Sequence, residues 1–335
     1  MVPVGRRQIC VDPGTDIARC RLTALGMKRA NRTPVCASRT PPRLSIHNPK
    51  KGHNTNYLNV SKESAAFWRV SINNPPLNLV DSRFIIDMHE LMDAAEADPD
   101  LQVIVFESAN PEYFLAHWDL TDDMSLMADQ TGRSAGVRFP FHFMNMVVRL
   151  SKLPVLTITS LRGRARGAGS EFILATDMTF ASRERTLIGQ FEMSAMAPPG
   201  GGAPSRLARL IGRNRALEVL IGAEDFTGPQ AELYGYVNRA IPDDELDAFV
   251  TAFANRVARF DRTSLIQLKQ WVNEITLPED RELQPQGDAF AEALSRPAFR
   301  SWVTEAFALG LQQPGELEEN LAARVPLSRQ PRSIT

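Results

Sequence analysis

The hydrophobic pattern after residue 56 alternates between short apolar runs and longer helical stripes. YLNVSKES and AFWRVSI predict two strands around a polar turn at Ser61 to Ser64, and Asn-Asn-Pro-Pro ends the second strand. From Ser82 to Asp98, apolar residues recur at the spacing of an amphipathic helix. The run LQVIVFES then predicts a buried strand. The order strand, helix, strand predicts a βαβ unit with two parallel strands.

A second group of elements continues the same alternation. A helix is predicted from about Gly136 to Lys152, and the run LPVLTI predicts the next buried strand. The chain then turns sharply at Gly163 to Gly169, and SEFILATDM predicts a buried helix with Glu171 near its start. MTFAS predicts a further short strand. The pattern as a whole predicts an α/β fold.

The stretch from 153 to 202 carries the densest candidate chemistry. Glu171 is predicted in the first helical turn, where the positive helix end stabilises a carboxylate and N–H groups of the glycine turn point toward a ligand. A second acid, Glu192, follows in the loop GQFEMSAMAPPGGG, whose three glycines indicate a tight turn or backbone pressed against a neighbour. Two carboxylates beside such N–H groups suit acid and base catalysis next to a developing oxyanion.

Composition narrows the class of protein. With 43% hydrophobic and 23% charged residues and a net charge of −1, the 335-residue chain is typical of soluble globular proteins, and neither nucleic acid nor a membrane is expected as a partner. Three cysteines, Cys10, Cys20 and Cys36, precede the predicted folded part, which favours a reducing, cytoplasmic location. The histidines show no metal-binding spacing, so no metal site is predicted. The glycine turn lacks the features of a dinucleotide or P-loop motif.

Residues 1–56 differ from the rest of the chain. They are rich in arginine and lysine and poor in acids, which predicts a disordered basic extension. Four interpretations stay open: a tail without function, sequence upstream of a true start at Met27, a transit peptide that sends the protein to an organelle matrix, or a basic arm that binds a partner. Deleting residues 1–56 is expected to abolish partner binding by such an arm but to leave an enzyme's turnover intact.

Several motifs in order resemble the crotonase superfamily, the enoyl-CoA hydratase/isomerase family. They are NNPPLN, YFLAHWDL, LPVLTITSLRGRARGAGSEFILATDMTFAS, GQFE with PPGGG, SRLARLIGRNRALEVLIGAEDFTGPQAELYGYVNRAIP and SLIQLKQWVN. The resemblance runs from about Ala66 to Asn273 and more loosely to the end. It implies a crotonase spiral of repeated ββα units over residues 57–242 and a C-terminal helical trimerisation region over 243–323. A disordered tail is expected over 324–335.

The resemblance also implies roles for individual residues. Glu171 and Glu192 match the two glutamates that hold a water and add it across the 2,3 double bond of an acyl-CoA thioester. Trp118 and Ala168 match the two residues whose peptide N–H groups form the oxyanion hole. Asp119 and Asp177 are interpreted as structural acids. The remaining predicted substrate-binding residues are Ala116, His117, Arg166, Gly167, Gly169 and Lys269, the last near the CoA phosphates.

The chain departs from the family pattern around the expected pocket. His117 replaces a flexible glycine, bulky Trp118 occupies the hole position, and Ala168 stands where a glycine is usual. Phe191 replaces a proline before the second glutamate, and one extra residue separates the two acids. Three arginines, Arg162, Arg164 and Arg166, alternate through the glycine turn. These changes predict an unusual acyl group, either aromatic or bearing a carboxylate that an arginine meets. A local packing role for His117 is the alternative to a pocket role.

The expected activity is therefore that of an enoyl-CoA hydratase-like lyase that works through an enolate held in the oxyanion hole. Coenzyme A is expected as part of the substrate, with no tightly bound cofactor, and the chain is expected to form a homotrimer or hexamer. The alternatives on the same scaffold are an enoyl-CoA isomerase, a hydrolase and a retro-aldol lyase. An alternative of another class is a non-catalytic crotonase-fold protein that binds partners through the basic arm.

Overall fold

Ten strands run through the part of the chain that the computed structural model describes, residues 57–130 and 142–324. The predicted disordered segments lie outside these residues except for Arg324, which ends a helix. The start of the predicted helix at Gly136 also lies outside them. The strands are β1 Leu58–Ser64, β2 Phe67–Ile72, β3 Val103–Ser108, β4 Tyr113–Leu115, β5 Leu156–Leu161, β6 Arg164–Arg166, β7 Met178–Ser182, β8 Leu187–Gly189, β9 Asp225–Thr227 and β10 Arg239–Ile241.

The strands form two mixed sheets. The larger has the order β1-β2-β3-β5-β7-β10, with β1 and β2 antiparallel and the other neighbours parallel. The smaller has the order β4-β6-β8-β9, with only β8 and β9 antiparallel. The chain passes repeatedly from the larger sheet to the smaller one, from β3 to β4, from β5 to β6 and from β7 to β8.

Helices fill the connections and the C-terminal third. They are α1 Ser82–Ala97, α2 His142–Ser151, α3 Ala168–Ile173, α4 Ala203–Ile211, α5 Arg213–Gly222, α6 Gly228–Tyr234, α7 Leu246–Val257, α8 Arg262–Thr276, α9 Asp280–Ser295, α10 Pro297–Ala308, α11 Glu316–Glu319 and α12 Leu321–Arg324, with a 3₁₀ helix over Met124–Gln130. Over the described ranges, no helix combines the length and the apolar character needed to cross a membrane.

The predicted βαβ unit is confirmed by β2, α1 and β3. Asp81 caps α1, because its side chain accepts a hydrogen bond of 2.8 Å from the peptide N–H of Phe84. The apolar stripe of α1 is buried against the larger sheet, and β2 pairs in parallel with β3 in a register that places Phe67 opposite Val103. Burial of such a stripe supplies about 1.5 to 3 kcal/mol for each large side chain.

Three local predictions were wrong. The residues Ser61 to Ser64 form the end of β1, so the hairpin turns after Ser64 and not before it. The glycine turn of Gly163 to Gly169 is interrupted by β6, which pairs with β4 and β8 of the smaller sheet. The helix predicted over SEFILATDM is also shorter, since α3 ends at Ile173. Strand pairing across the small sheet overrides local glycine content here, a tertiary effect that periodicity does not contain.

Aromatic packing fixes α3 in the core. The ring of Phe172 packs edge-on against Phe84 at 5.8 Å and against Phe106 at 5.3 Å between ring centroids. Phe172 is fully buried and directly follows Glu171 in sequence. Because Phe172 is held from two sides, the first turn of α3 has little freedom to shift.

The C-terminal helices differ in how they meet the rest of the chain. Helices α9 and α10 bury Leu283, Phe290, Phe299 and Trp302 in the main core cluster. In contrast, α8 buries none of its residues. Helices α9 and α10 therefore complete the chain's own core next to the candidate site.

Candidate active site

Glu171 lies in the first turn of α3 and is 2% exposed. Its Oε1 atom accepts hydrogen bonds from the peptide N–H groups of Gly201 at 2.7 Å and Ala203 at 3.1 Å. A Cβ atom on Gly201 would lie 2.6 Å from Glu171 Oε2, so the glycine allows this close approach. Of the two alternatives for the triple glycine, a tight turn or backbone pressed against a neighbour, this contact agrees with the second, and the neighbour is Glu171.

The surroundings of Glu171 raise its pKa toward neutral pH. Burial raises the pKa of Glu171 to about 7, although the two peptide N–H groups and the positive charge of Arg206 oppose the shift. Burial in turn lowers the pKa of Arg206 to about 10. A carboxylate with this pKa can accept a proton near neutral pH and release it again, which is the requirement for a general base.

Glu192 is the second buried acid, at 8% exposure. Its pKa lies well above the ordinary value, because burial and the nearby charge of Glu171 both disfavour a second carboxylate. The site therefore disfavours ionisation of both acids at the same time. Since Glu171 receives two peptide N–H groups, we assign the charge to Glu171 and the proton to Glu192.

A polar chain behind Glu192 was not predicted from the sequence. In the amide orientation that satisfies both neighbours, Gln190 Nε2 lies 3.0 Å from Glu192 Oε2 and Gln190 Oε1 lies 2.9 Å from Ser170 Oγ. Ser170 in turn hydrogen-bonds the hydroxyl of Tyr236. All three residues are buried, so Glu192 is positioned by a network that begins on a distant loop. The sequence signal that could have indicated this network is Gln190, two residues before Glu192.

The Trp118 peptide N–H is oriented by a short parallel bridge to Val80. The Val80 N–H donates to the carbonyl of His117 at 2.8 Å, and the Asp119 N–H donates to the carbonyl of Val80 at 2.8 Å. In a trans peptide the N–H points opposite to the preceding carbonyl. The Trp118 N–H is therefore directed away from Val80, and Trp118 itself lines the cavity that contains the two acids.

Ala168 is the first residue of α3, so its N–H lacks an acceptor within the helix. The preceding Gly167 adopts a left-handed φ of 50°, and a Cβ atom there would lie 2.9 Å from Glu192 Oε1. A Cβ atom on Gly169 would lie 2.0 Å from the Leu115 carbonyl oxygen. These two glycines let α3 sit against β4 and let Glu192 approach the helix start.

One cavity brings the four principal candidates together. It has a volume of about 40 Å³, and Trp118, Ala168, Glu171 and Glu192 line it. Its other walls are mainly apolar and come partly from the C-terminal helices: Phe191, Phe290, Phe299, Trp302 and Leu311. A larger cavity of about 1010 Å³ lies beneath α8 and includes Asp177 and Lys269, but neither glutamate. We place the candidate chemistry in the smaller cavity because the acids are there.

Two predicted substrate-binding residues are bonded within the chain. The guanidinium of Arg166 donates to both carboxylate oxygens of Asp225, at 2.8 and 2.6 Å, and to the carbonyl of Glu318 at 2.6 Å. Lys269 Nζ donates to Asp177 at 2.7 Å and to the carbonyl of Val155 at 2.8 Å. A contact of either residue with a substrate remains a prediction.

The other two arginines of the glycine turn also face acids of the chain. Arg162 pairs with Asp243 at 2.8 Å and with Asp247 at 2.7 Å, while Arg164 pairs with Glu112 at 3.2 Å. These pairs neutralise the positive face expected from the alternation. The guanidinium groups of all three arginines are thus paired with acids of the chain. A contact between one of them and a substrate carboxylate remains a prediction.

Ala116 and His117 lie directly before Trp118, the predicted oxyanion-hole residue. The Ala116 N–H donates to the Asn78 carbonyl at 3.1 Å, and the Ala116 carbonyl accepts from the Arg166 N–H at 3.2 Å. His117 is 2% exposed, lines the cavity and has both ring nitrogens engaged. The structure thus combines the local and the pocket interpretations of this histidine.

The interpretation of Asp119 and Asp177 as structural acids agrees with their contacts. Asp119 Oδ1 accepts from the Thr121 N–H at 2.8 Å and from Gln312 at 2.6 Å. Asp177 Oδ2 accepts from the Thr157 N–H at 2.8 Å and from its hydroxyl at 2.9 Å. Each acid stabilises a loop or strand end next to the site.

Comparison of the sequence with known proteins gives a family match and several named relatives. Residues 62–299 match the family model described as Enoyl-CoA hydratase/isomerase. A short-chain-enoyl-CoA hydratase from Clostridium acetobutylicum is 28% identical over 68% of this chain and 85% of its own length. A protein from Dictyostelium discoideum, described as a candidate mitochondrial enoyl-CoA hydratase, is 26% identical over 63% of this chain and 74% of its own length.

Solved structures confirm the crotonase fold. A candidate enoyl-CoA hydratase from Streptomyces avermitilis is 36% identical, covers 82% of this chain and 98% of its own, and superposes with a TM-score of 0.75. An enoyl-CoA hydratase from Mycobacterium avium subsp. paratuberculosis superposes with a TM-score of 0.64 over 74% of this chain and 98% of its own. At 24% identity, the second comparison bears on the fold alone.

Proposed function

Because the chain belongs to the enoyl-CoA hydratase/isomerase family, we propose that it is a hydratase that adds water reversibly across the 2,3 double bond of an acyl-CoA thioester. The observation that carries this proposal is the pair of buried acids, Glu171 and Glu192, which share a cavity with the two predicted hole residues. Addition of water needs one group to remove a proton and another to supply one, and the pair offers both states at once.

In the proposed mechanism, the thioester oxygen accepts hydrogen bonds from the peptide N–H groups of Trp118 and Ala168. The Glu171 carboxylate removes a proton from water, and the water oxygen bonds to C3. The π electrons of the double bond move toward C2 and the thioester oxygen, which gives an enolate. Glu192 then donates its proton to C2. The excess proton on Glu171 returns to Glu192 through solvent exchange, so the pair is restored.

The hole supports the enolate selectively. Negative charge on the thioester oxygen grows as the C3 bond forms, so fixed N–H donors stabilise the transition state more than the ground state. Each such donor contributes about 3 to 4 kcal/mol in well-studied enzymes. The apolar walls of the cavity exclude water around the reacting atoms and strengthen these interactions.

The substrate is proposed to combine coenzyme A with an acyl group that suits the walls of the cavity. Coenzyme A is proposed as the carrier and as part of the substrate, with no separate cofactor. The aromatic and aliphatic walls favour an apolar acyl group. The name of the Clostridium relative, a short-chain-enoyl-CoA hydratase, supports a short chain.

Purified full-length protein tests the proposal with a panel of short, long, aromatic and dicarboxylic 2-enoyl-CoA thioesters. We expect hydration of a short 2-enoyl-CoA, with ¹⁸O from labelled water recovered at C3. Glu171→Gln and Glu192→Gln should each lower kcat by about 10² to 10⁴. Glu292→Gln, an exposed acid on α9, serves as the matched control. Absence of hydration across the panel, or full activity of Glu171→Gln, would contradict the proposal.

The same product analysis separates the in-family alternatives. An isomerase moves the double bond without incorporating water, a hydrolase releases free coenzyme A, and a retro-aldol lyase cleaves a carbon–carbon bond. The presence of both glutamates favours hydration, since water addition uses an acid and a base together.

Cellular location is a separate proposal. The cysteine distribution supports a reducing, cytoplasmic location, whereas the Dictyostelium relative is described as mitochondrial. Fractionation of native cells, with N-terminal sequencing of the purified protein, distinguishes a cytoplasmic protein from an organelle protein that has lost a leader.

A further inference from the structure

The C-terminal segment after α10 returns to the loop that carries the predicted oxyanion-hole residue Trp118. Glu318 on α11 is fully buried, and its two carboxylate oxygens lie 3.0 and 3.2 Å from His117 Nε2. The partners are 201 positions apart in sequence. Neither residue belongs to the glutamate pair that performs the proposed acid and base chemistry, so their contact needs a separate explanation.

The hydrogen bonds identify the charge state of His117. Its Nδ1 atom lies 2.8 Å from the Trp118 carbonyl oxygen, and its Nε2 atom faces the Glu318 carboxylate. Both partners are acceptors, so both ring nitrogens donate and the ring is an imidazolium. Burial alone would lower the pKa of His117, but the charge and hydrogen bond of Glu318 raise it overall. The imidazolium and its neighbours in turn lower the pKa of Glu318 against the effect of burial.

The hole loop, defined as residues 116–120, is held from two sides. On one side, Asn78 and Val80 bond its backbone. On the other side, Gln312 accepts from the Leu120 N–H at 2.8 Å and donates to Asp119 at 2.6 Å. The Gln312 N–H also donates to Glu318 at 2.6 Å. Gln312 and Glu318 thus form a single support that bonds the loop both before and after Trp118.

Three residues that depart from the family pattern bond the C-terminal segment that carries this support. His117 pairs with Glu318, and Arg166 donates to the Glu318 carbonyl at 2.6 Å. Arg164 donates to the Glu319 carbonyl at 3.1 Å. The docking of the C-terminal segment therefore accounts for three of these departures, His117, Arg164 and Arg166.

We propose that His117 and Glu318 are positioning residues, which hold the Trp118 peptide in the orientation that stabilises the enolate oxygen. The C-terminal segment then completes the oxyanion hole and does more than cover the core. The inference rests on the proposed hydratase function. Because the hole acts on the transition state, loss of the support should lower kcat and leave KM nearly unchanged.

Glu318→Ala and Glu318→Gln in the full-length protein form the test. The alanine variant leaves the His117 ring without its acceptor and should lower kcat by about 10- to 100-fold, with KM within about threefold of the native value. In the glutamine variant, a neutral His117 ring still donates from Nδ1 to the Trp118 carbonyl, while Nε2 accepts from the new amide. Most of the kcat should therefore return. Glu292→Gln is again the control with the same change of charge.

A spectroscopic readout distinguishes positioning from a purely structural role. Each change is introduced into Glu171→Gln protein, which holds a 2,4-dienoyl-CoA thioester unreacted. N–H donors that polarise the thioester carbonyl shift the absorption of such a conjugated acyl group to longer wavelength. We expect this shift to shrink with Glu318→Ala and to recover with Glu318→Gln. Circular dichroism checks folding. If the alanine variant does not fold, the single variants Glu318→Gln and His117→Gln provide the test.

The outcomes separate the two proposals. If native protein hydrates an enoyl-CoA while all folded Glu318 and His117 variants retain its kcat and absorption shift, the positioning role is overturned and the hydratase function stands. If native protein hydrates no thioester of the panel, both proposals are overturned. Loss of kcat with a loss of the shift, and rescue by glutamine, supports the positioning role.

Discussion

At the scale of single residues, the ionisation of Glu171 should control the pH dependence of the reaction. Its pKa is raised to about 7, mainly by burial, and the charge of Arg206 limits the rise. A base must be ionised to act, so kcat/KM should increase with pH through this value, and it should fall again at higher pH where the proposed acid Glu192 loses its proton. The structure therefore predicts an acid limb centred near pH 7.

Arg206→Gln should move that limb to higher pH. Removal of the positive charge takes away an interaction that favours the Glu171 carboxylate, so the variant should lose several-fold more kcat/KM at pH 6 than at pH 9. Arg206→Lys keeps the charge and serves as the control, with its limb expected near the native position. Steady-state rates from pH 5 to 10 give the measurement, and identical limbs in native protein and Arg206→Gln would contradict the assignment of Glu171 as base.

Glu192 should reduce the stability of the folded chain as the pH rises. Its pKa in the folded state lies well above the ordinary value of 4.5, so the folded state holds its proton more tightly than the unfolded state. The contribution of Glu192 to stability is then greatest below pH 4.5 and is lost as the pH increases through its folded-state pKa. Glutamine does not titrate, so Glu192→Gln should gain about 0.5 to 2 kcal/mol in free energy of unfolding at alkaline pH.

Urea unfolding of native and Glu192→Gln protein at pH 5, 7 and 8.5 measures this effect. The difference in unfolding free energy should grow with pH. If the difference stayed constant with pH, ionisation of Glu192 would not destabilise the folded state. The same substitution removes the proposed acid, so activity and stability should change in opposite directions, as expected where a site is held in an unfavourable environment.

At the scale of elements, the bend formed by Gly200, Gly201 and Gly202 sets the position of Glu171. A Cβ atom on Gly201 would lie 2.6 Å from Glu171 Oε2 and 2.7 Å from the Phe143 ring. Gly201→Ala should displace the carboxylate or the bend, with a loss of about 100-fold in kcat and about 1 to 3 kcal/mol of stability. Activity and urea unfolding are measured on the same preparation.

The control for this substitution is Gly222→Ala at the end of α5. A Cβ atom there meets no atom within 4 Å, so native activity and equal or slightly greater stability are expected. If Gly201→Ala behaved like Gly222→Ala, the close packing of the bend on Glu171 would have no functional weight.

Local sequence patterns predict some elements well and others poorly. Helix α1 and its flanking strands follow from periodicity, because their apolar stripes are long and Asp81 marks the helix start. Strands β4, β6 and β8 have only three residues each, and their pairing depends on partners far along the chain. The position of Glu171 at a helix start was predictable, whereas the Gln190 network behind Glu192 depends on Tyr236 from another loop.

At the scale of the whole molecule, parts of the candidate site are formed by residues far apart in sequence, which local sequence patterns do not predict. His117 was open to two interpretations, and its partner Glu318 lies in a segment without a motif. The resemblance to the family predicts the two acids and the hole, but it contains nothing about how the last helices close the cavity with Phe299 and Trp302. Such contacts arise only when the chain has folded back on itself.

Helix α8 carries an apolar stripe that is largely exposed in the single chain. Leu268, Trp271, Val272 and Ile275 recur at helical spacing, and each is at least 57% exposed. The polar residues Lys269 and Asn273 face inward instead and bond Asp177 and the Ser151 carbonyl. An amphipathic helix normally buries the opposite face. The inverted arrangement predicts that another subunit covers the stripe, in keeping with the trimer or hexamer expected from the family resemblance.

The double variant Trp271→Glu with Ile275→Glu should dissociate the assembly. Two charges in an apolar interface carry a desolvation cost that the contact cannot offset, whereas the isolated chain exposes both positions to water. Light scattering after size-exclusion chromatography should give a trimer or larger for native protein and a smaller species for the variant. Gln267→Glu with Gln270→Glu adds the same charge at exposed polar positions of α8 and should leave the mass unchanged. A native monomer, or an assembly that survives the double variant, would rule out this face as the subunit interface.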